Sequence, residues 1–421
     1  MSKLILAINA GSSSVKVSVY KGSSKDVEPQ MLADISVAGL TAPPATVTYK
    51  RGDKKIKGQE VDGVTGQESA FEYILKHLVD DDGLPELKQK EDIEFACHRI
   101  VHGGDYDHAT RIDKDTYQHL EELSDLAPLH NAGALTIVKA VYEQLPKATN
   151  IAMFDSTFHS SIPDHVRTYP INQKVAKHNK LRKYGFHGLS YAFITRAVAE
   201  SLNKSTSDLN IIALHLGSGC SACCIRGGKS LDTSMGLTPL AGLPGATRSG
   251  SVDPSLIFHF THNAGKLSRE STKDMHITEA EEILNKQSGW KALTGTTDFG
   301  VISSKAEQGD ADCKLALDLV VDRILGFVGN YYVKLGGKCD ALVFAGGIGE
   351  KGSLLRKRIV EQAACLGFEL DQAKNERPDD EVVTRISSEA SRHKVLVCQT
   401  DEQSEMARQC TNDADEFRKR A

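Results

Sequence analysis

A mixed α/β fold built from two similar domains is predicted by three observations. Strand patterns alternate with helix patterns nearly throughout the 421 residues. At about 150 residues per domain, that length allows two or three domains, each with a sizeable core. Sliding the chain by 206 positions lays Ile5 to Gly11 on Ile211 to Gly217, and Val17 and Val19 on Cys223 and Ile225. Strand, Gly/Ser turn and strand recur, which implies two similar hairpins in two similar domains.

The elements follow in order. Leu4 to Asn9 reads as a strand, and Ala10 to Ser14 as a turn. Val15, Val17 and Val19 then alternate with Lys16 and Ser18, giving a hairpin with one buried face. The stretch from Ala42 to Gly66 holds Lys50, Arg51, Lys54, Lys55 and Lys57 with only Tyr49 interleaved, a solvated hairpin and not a nucleic-acid surface. Thr65 with Glu68 reads as a capping box before Phe71, Ile74, Leu75 and Leu78 at helical spacing. Further helices are marked by Leu135, Val138 and Tyr142, by Tyr191, Ile194 and Val198, and by Asp253-Pro254 as an N-cap followed by proline at the first helical position. Thr278 with Glu281 repeats the capping box, and a long helix from about Ala311 to Leu335 stops at Gly336-Gly337. Strand Ala341 to Ala345 then enters the turn Gly346-Gly347-Ile348-Gly349, which opens the next helix. Thr400 and Gln403 cap the last one.

Composition narrows the function. With 40% apolar and 25% charged residues, disordered and low-complexity classes are excluded. A formal charge of −5 provides no field for nucleic acid or an anionic membrane. No apolar stretch approaches the roughly 20 residues of a bilayer span, and the amino terminus is too short for a signal-peptide core. Nine cysteines without a paired CxxC suggest reduced thiols in a cytosol and no zinc site. The expected location is cytoplasmic.

The chemistry gathers in a few loops. Successive N–H groups of a Gly/Ser turn can cradle an anion, and Gly11 to Ser14 with Lys16 fits that pattern, as does Gly217-Ser218-Gly219. Such turns also occur for conformational reasons alone. Gly217-x-Gly219-x-x-Ala222 is followed by a returning strand, not the helix of a dinucleotide fold, and Gly228-Lys229-Ser230 lacks the first glycine of a P-loop. Arg99 in HRIVHGG and Arg248 in GATRSG stand among small residues that let a ligand approach, and paired arginines suit a phosphoryl group in transfer. Asp155 and Glu402 are candidate magnesium carboxylates or, equally, acids of a turn and a helix start. His130, His187 and His215 lie beside Gly or Asn turns as candidate hydrogen-bond donors.

With these residues in place, the chain resembles the acetate kinase family, short-chain carboxylate kinases of the superfamily that also holds sugar kinases and actin. The resemblance runs through INAGSSSVK, HRIVHGG, PLHN, FDSTFH, YGFHGLS, HLGSG, GLTPLAGL, GATRSG, GGIGE and TDEQ, in order along nearly the whole chain. It implies a ribonuclease H-like duplication with an interdomain catalytic cleft, a homodimer, and reversible phosphoryl transfer between ATP and acetate giving acetyl phosphate and ADP. The implied N-terminal domain is 1–157, completed by a C-terminal helix 404–421. Residues 158–403 form the implied nucleotide-binding and dimerisation domain.

By the same resemblance, Arg99, Asp155, His187 and Arg248 are catalytic. Arg99, Val101, Leu129, Phe186 and Pro239 hold acetate. Asn9, Ser12, Ser14, Lys16, His215, Gly217, Ser218, Gly219, Asp298, Phe299, Gly346, Gly347, Ile348 and Gly349 meet the nucleotide and its phosphates. Asn9, Asp155 and Glu402 serve Mg2+ or Mn2+. The sequence departs from the family's usual pattern at Ser218 (Asn), Ser251 (Asp), Gln403 (Glu) and Gly300, where many members carry an Arg that covers the adenine. A propionate or butyrate kinase is the nearest alternative, separated by the shape of the methyl pocket. A non-catalytic, actin-like nucleotide switch would share the hairpins but have no need for two arginines around a small acid.

Overall fold

The computed structural model describes residues 3–11, 13–123, 128–271 and 276–419, with backbone alone at 128–130. The chain divides into two units, Met1–Thr157 with Asp401–Ala421, and Phe158–Thr400. The first carries an eight-stranded sheet made of β1 (Lys3–Ala10), β2 (Ser14–Gly22), β3 (Gln30–Ala38), β4 (Ala45–Arg51), β5 (Lys54–Val61), β6 (Phe95–Ile100), β7 (Thr110–Arg111) and β8 (Thr149–Phe154), in the order β5-β4-β3-β2-β1-β6-β8-β7. The second carries β9 (Asn210–Leu216), β10 (Cys220–Arg226), β11 (Lys229–Thr233), β12 (Ala341–Ala345), β13 (Val383–Arg385) and β14 (Lys394–Cys398), in the order β11-β10-β9-β12-β14-β13.

The duplication is visible in the pairing. β3-β2-β1-β6-β8 and β11-β10-β9-β12-β14 each run through two antiparallel steps and then two parallel ones. The 206-residue shift holds for the first strand of each hairpin and fails by one residue in the second. Ala10 pairs with Val15, whereas Leu216 pairs with Cys220, because the second turn is one residue shorter. The partner of Asn9 is therefore Lys16, and the partner of the matching His215 is Ser221. Val17 and Val19 correspond to Ala222 and Cys224, not to Cys223 and Ile225. With a side-chain period of two, that single residue decides which face is filled.

The inner strands of each sheet are buried on both faces, as their apolar runs require, while β3 and β4 alternate and β5 is largely exposed. In the first unit Leu6, Ile8, Val17 and Val19 pack with Phe71, Ile74 and Leu78 of helix Gln67–Val79 and Val141 of helix Pro128–Gln144. Helix Glu402–Lys419 lies against β1, β2 and β6 through its buried Met406, Ala407, Cys410 and Ala414. In the second unit Ile212, Leu214 and Leu216 pack with helix Ala311–Lys334, while Ile211 and Ala213 pack with helix Gly188–Ser201. Each such buried aliphatic side chain stabilises the fold by about 1.5–3 kcal/mol.

Helix starts differ in detail from expectation. Thr278 and Glu281 form the predicted box around helix Glu279–Lys286. At helix Gln67–Val79 it is Ser69, not Glu68, whose hydroxyl accepts from the Thr65 and Gly66 N–H groups. Asp253 accepts from the Ser255 N–H at 2.9 Å as a turn residue, and only the short helix Leu256–Phe260 follows. At helix Glu402–Lys419 the cap is Asp401, which accepts from the Gln403 and Ser404 N–H groups. A carboxylate competes better than a threonine hydroxyl for N–H groups at the positive end of a helix. Gln403 instead donates to the Ala7 carbonyl at 3.2 Å.

Candidate active site

Three parallel strands of the first unit end together, and their carboxyl ends are where ligands gather in open α/β sheets. Ile8 pairs with His98 and Ile100 with Phe154, so Asn9, Arg99 and Asp155 emerge side by side. Arg99 donates through Nε (3.1 Å) and Nη2 (2.6 Å) to the two oxygens of Asp155, a bidentate pair whose carboxylate is fully buried. Its Nη1 reaches Asn9 Oδ1 and Glu402 Oε2, each at 3.3 Å, and Asn9 Nδ2 donates to Glu402 at 3.4 Å. Burial opposes the charge on Arg99, but Asp155 and Glu402 overrule it and raise its pKa further. Burial also raises Glu402, against the pull of Arg99. Lys16 pairs with Asp34 at 3.5 Å and Ser14 is half-buried at the start of β2; Ser12 lies outside the described residues.

The loop after β6 is pinned. Asn131 accepts from the His102 N–H and donates to the His102 carbonyl, each at 3.0 Å, and Ser156 accepts from the Gly103 N–H at 3.1 Å. Val101 is thereby held half-buried beside Arg99. The PLHN motif contributes this asparagine, which the sequence reading passed over in favour of His130. The side chains of Leu129 and His130 lie outside the described residues.

In the second unit, His187 adopts a left-handed backbone (φ 60°) at the N-cap of helix Gly188–Ser201. Its ring stacks on His215 with centroids 4.1 Å apart, and its Nδ1 lies 2.8 Å from Ser221 Oγ. His215 Nδ1 meets Ser190 Oγ at 2.8 Å, which in turn meets Thr400 Oγ1 at 2.8 Å. Phe186 is buried, its carbonyl bonded to His159 Nε2 at 3.0 Å. Pro239 is buried too, and its carbonyl lies 3.5 Å from Arg248 Nη1.

The loop bearing Arg248 is stapled to the turn of the second hairpin by an Ala246 N–H to Ser218 carbonyl bond of 2.8 Å. Three groups converge there. A Cβ added to Gly219 would lie 2.9 Å from Arg248 Nη1 and 3.7 Å from His187 Nε2, so both side chains reach this glycine and a larger residue there would have to shift the guanidinium. Gly217 donates to the Gly219 carbonyl at 3.2 Å, and Ser218 is exposed at the tip.

Gly346-Gly347-Ile348-Gly349 follow β12 directly as the first turn of helix Gly346–Lys351. Gly346 has φ +74°, and a Cβ on it would come within 2.7 Å of the Leu216 carbonyl, so the helix start lies directly on the end of β9. Gly347 has open space around it and Ile348 is half-buried. Arg356, absent from the sequence reading, is fully buried and donates to the Gly349 and Glu350 carbonyls at 2.8 and 2.7 Å. Asn375 braces it, and desolvation lowers its pKa to about 10. Asp298 caps helix Phe299–Glu307 through the Gly300 and Val301 N–H groups, while Phe299 is buried edge-on against Trp290. Gly300 is exposed.

Among the described residues no group of three or more His, Cys, Asp or Glu side chains could hold a metal ion. Asp155, Glu402 and Asn9 nevertheless form an all-oxygen donor set. That chemistry fits magnesium, which binds through one or two carboxylates together with substrate phosphates and retained waters. No helix among the described residues is long and apolar enough to cross a membrane.

The acetokinase family model matches residues 4–408. A probable acetate kinase of Neurospora crassa is 55% identical, over 99% of this chain and 96% of its own length. A propionate kinase structure from Francisella tularensis has a TM-score of 0.83 at 33% identity, covering 97% of this chain and 98% of that one. An acetate kinase structure from Porphyromonas gingivalis has a TM-score of 0.80 at 31% identity, over 96% and 98%. A match of this extent, over the whole length that bears the two hairpins, the arginine loops and the glycine turn, places the chain in the acetate kinase family.

Proposed function

We propose that this chain is an ATP:acetate phosphotransferase working by direct in-line transfer. An acetate oxygen attacks the γ-phosphorus of ATP, the bond to the β,γ-bridging oxygen breaks, and acetyl phosphate and ADP form. The observation that carries the reading is the convergence of Arg248 and His187 on Gly219, in a family whose model spans residues 4–408. A loose phosphoryl-transfer transition state spreads its charge over three equatorial oxygens, so cationic and N–H donors fixed in advance do most of the work. Arg248 supplies a rigid fork, His187 an N–H, and the turn Gly217 to Gly219 backbone donors.

Arg99 takes the acetate carboxylate. Its Nε and Nη2 face Asp155, which fixes the plane of the guanidinium before substrate arrives. Val101, Leu129, Phe186 and Pro239 are assigned to the methyl group. Asn9, Asp155 and Glu402 would hold Mg2+, which neutralises phosphate charge when bound. Ser12, Ser14, Lys16 and His215 are assigned to the phosphates, and the Gly346 to Gly349 turn with Asp298 to the adenosine. Exposed Phe258, Leu256 and Phe260, together with Leu267, support a homodimer formed through the second unit. Nine free cysteines, eight of them buried, suit a cytoplasmic enzyme.

Hydroxylamine trapping of the acyl phosphate formed from acetate, ATP and magnesium tests the activity. A pocket that discriminates by one methylene separates substrates by about 1–3 kcal/mol, so acetate, propionate and butyrate should fall in a graded series. No hydroxamate from acetate would overturn the assignment, and a higher kcat/KM for propionate or butyrate would overturn the pocket.

A further inference from the structure

We propose that Tyr191 and Ser221 are positioning residues that hold the His187 imidazole neutral with its proton on Nε2, so that it serves phosphoryl transfer as a hydrogen-bond donor and not as an acid. The inference rests on the reading that His187 faces the transferring group.

One chain of hydrogen bonds fixes where each proton sits. Tyr191 Oη lies 2.6 Å from Ser221 Oγ, which lies 2.8 Å from His187 Nδ1. Tyr191 is fully buried, and burial pushes its phenol well above its ordinary range, so its hydroxyl proton is always present. Its acceptor is Ser221 Oγ, because a buried hydroxyl left unpaired costs about 1–3 kcal/mol. Ser221 then has its own proton to place, and His187 Nδ1 receives it. A nitrogen that accepts carries no proton, so the neutral ring must carry its own on Nε2. That is the atom facing Gly219 and Arg248.

Protonating His187 would force Nδ1–H against Ser221, whose hydroxyl proton would lose its acceptor. Of the groups facing the ring from other elements, the Arg248 guanidinium opposes the added charge as well, and the His215 ring brings no negative charge to offset it. Arg248 comes from the loop after Gly245, and His215 stacks on it from β9 at 4.1 Å. Ser221 occupies the place that Lys16 holds in the first hairpin. The one-residue difference between the turns thus sets Ser221, and not Ala222, opposite His215.

Histidine-labelled nitrogen NMR, with the His187 signal assigned by its loss in His187→Gln, reads the tautomer directly. The expected wild-type spectrum has an unprotonated Nδ1 and a protonated Nε2, unchanged between about pH 8 and pH 6. Ser221→Ala and Tyr191→Phe should each move the ring's titration up toward its ordinary value of about 6.5, so that charging becomes visible at the acid end of this window. Ser221→Ala should also lower kcat about tenfold near neutral pH with acetate KM within about twofold, and Ser221→Thr, which keeps the hydroxyl, should restore it. A wild-type ring with its proton on Nδ1, or charged at pH 7, would overturn the proposal. A wild-type kcat in His187→Gln would instead overturn the reading of His187 in transfer, whatever the spectrum shows.

Discussion

Acidification from pH 7 to pH 4 meets the core of the first unit at His98. Its ring is 2% exposed and bonded at 2.8 Å to Asn150 Oδ1. Burial lowers its pKa from 6.5 to about 4, against the opposing pull of Asn150. A base kept neutral in the native state binds fewer protons than the same base unfolded. Its stability is therefore present in full above pH 6.5, is lost as pH falls toward 4, and changes no further below that. About 2.5 pKa units at 1.36 kcal/mol each amount to about 3 kcal/mol. His98→Gln keeps a donor for Asn150 and removes the titration. Urea unfolding of wild type and variant, measured from about pH 7.5 down to pH 4, should show wild type losing about 3 kcal/mol more than the variant across that window. Parallel stability curves would refute the reasoning.

Arg248→Lys should lower kcat by roughly 10²-fold or more, since one mobile ammonium replaces a fork and arginines in this role are worth about 10³ to 10⁵; steady-state kinetics on a variant with unchanged thermal unfolding checks it. Arg99→Lys should lower kcat and raise the acetate KM together, because a lysine cannot span both oxygens of Asp155 while facing a substrate carboxylate. With Gly300 exposed and no side chain there to cover a base, GTP and ITP should replace ATP with only modest loss in kcat/KM. A GTP rate about 10³ times lower would show that another residue recognises adenine.

The sequence by itself determined the α/β class, the duplicated hairpin, most helices and the motifs that place the chain in its family. Those signals are local: apolar periodicity, Gly turns and an ordered set of short loops, each legible within about ten residues. Tertiary structure decided what depends on register and on burial. Whether Val17 answers Cys223 or Ala222 turned on one residue of loop length, which no apolar pattern records when both faces of a strand are buried. Asp155 and Glu402 looked alike as candidate metal acids. The fold packs both against the one guanidinium of Arg99, which they approach from 56 and 303 residues further along the chain. Ser221 and Arg356 carried no distinctive pattern, and Asn131 and Tyr191 were legible only as a motif position and a helix-face residue, because such side chains become informative only when their partners are known. Hydrogen bonds between residues distant in sequence are satisfied in three dimensions, and a linear chain does not announce which donor will face which acceptor.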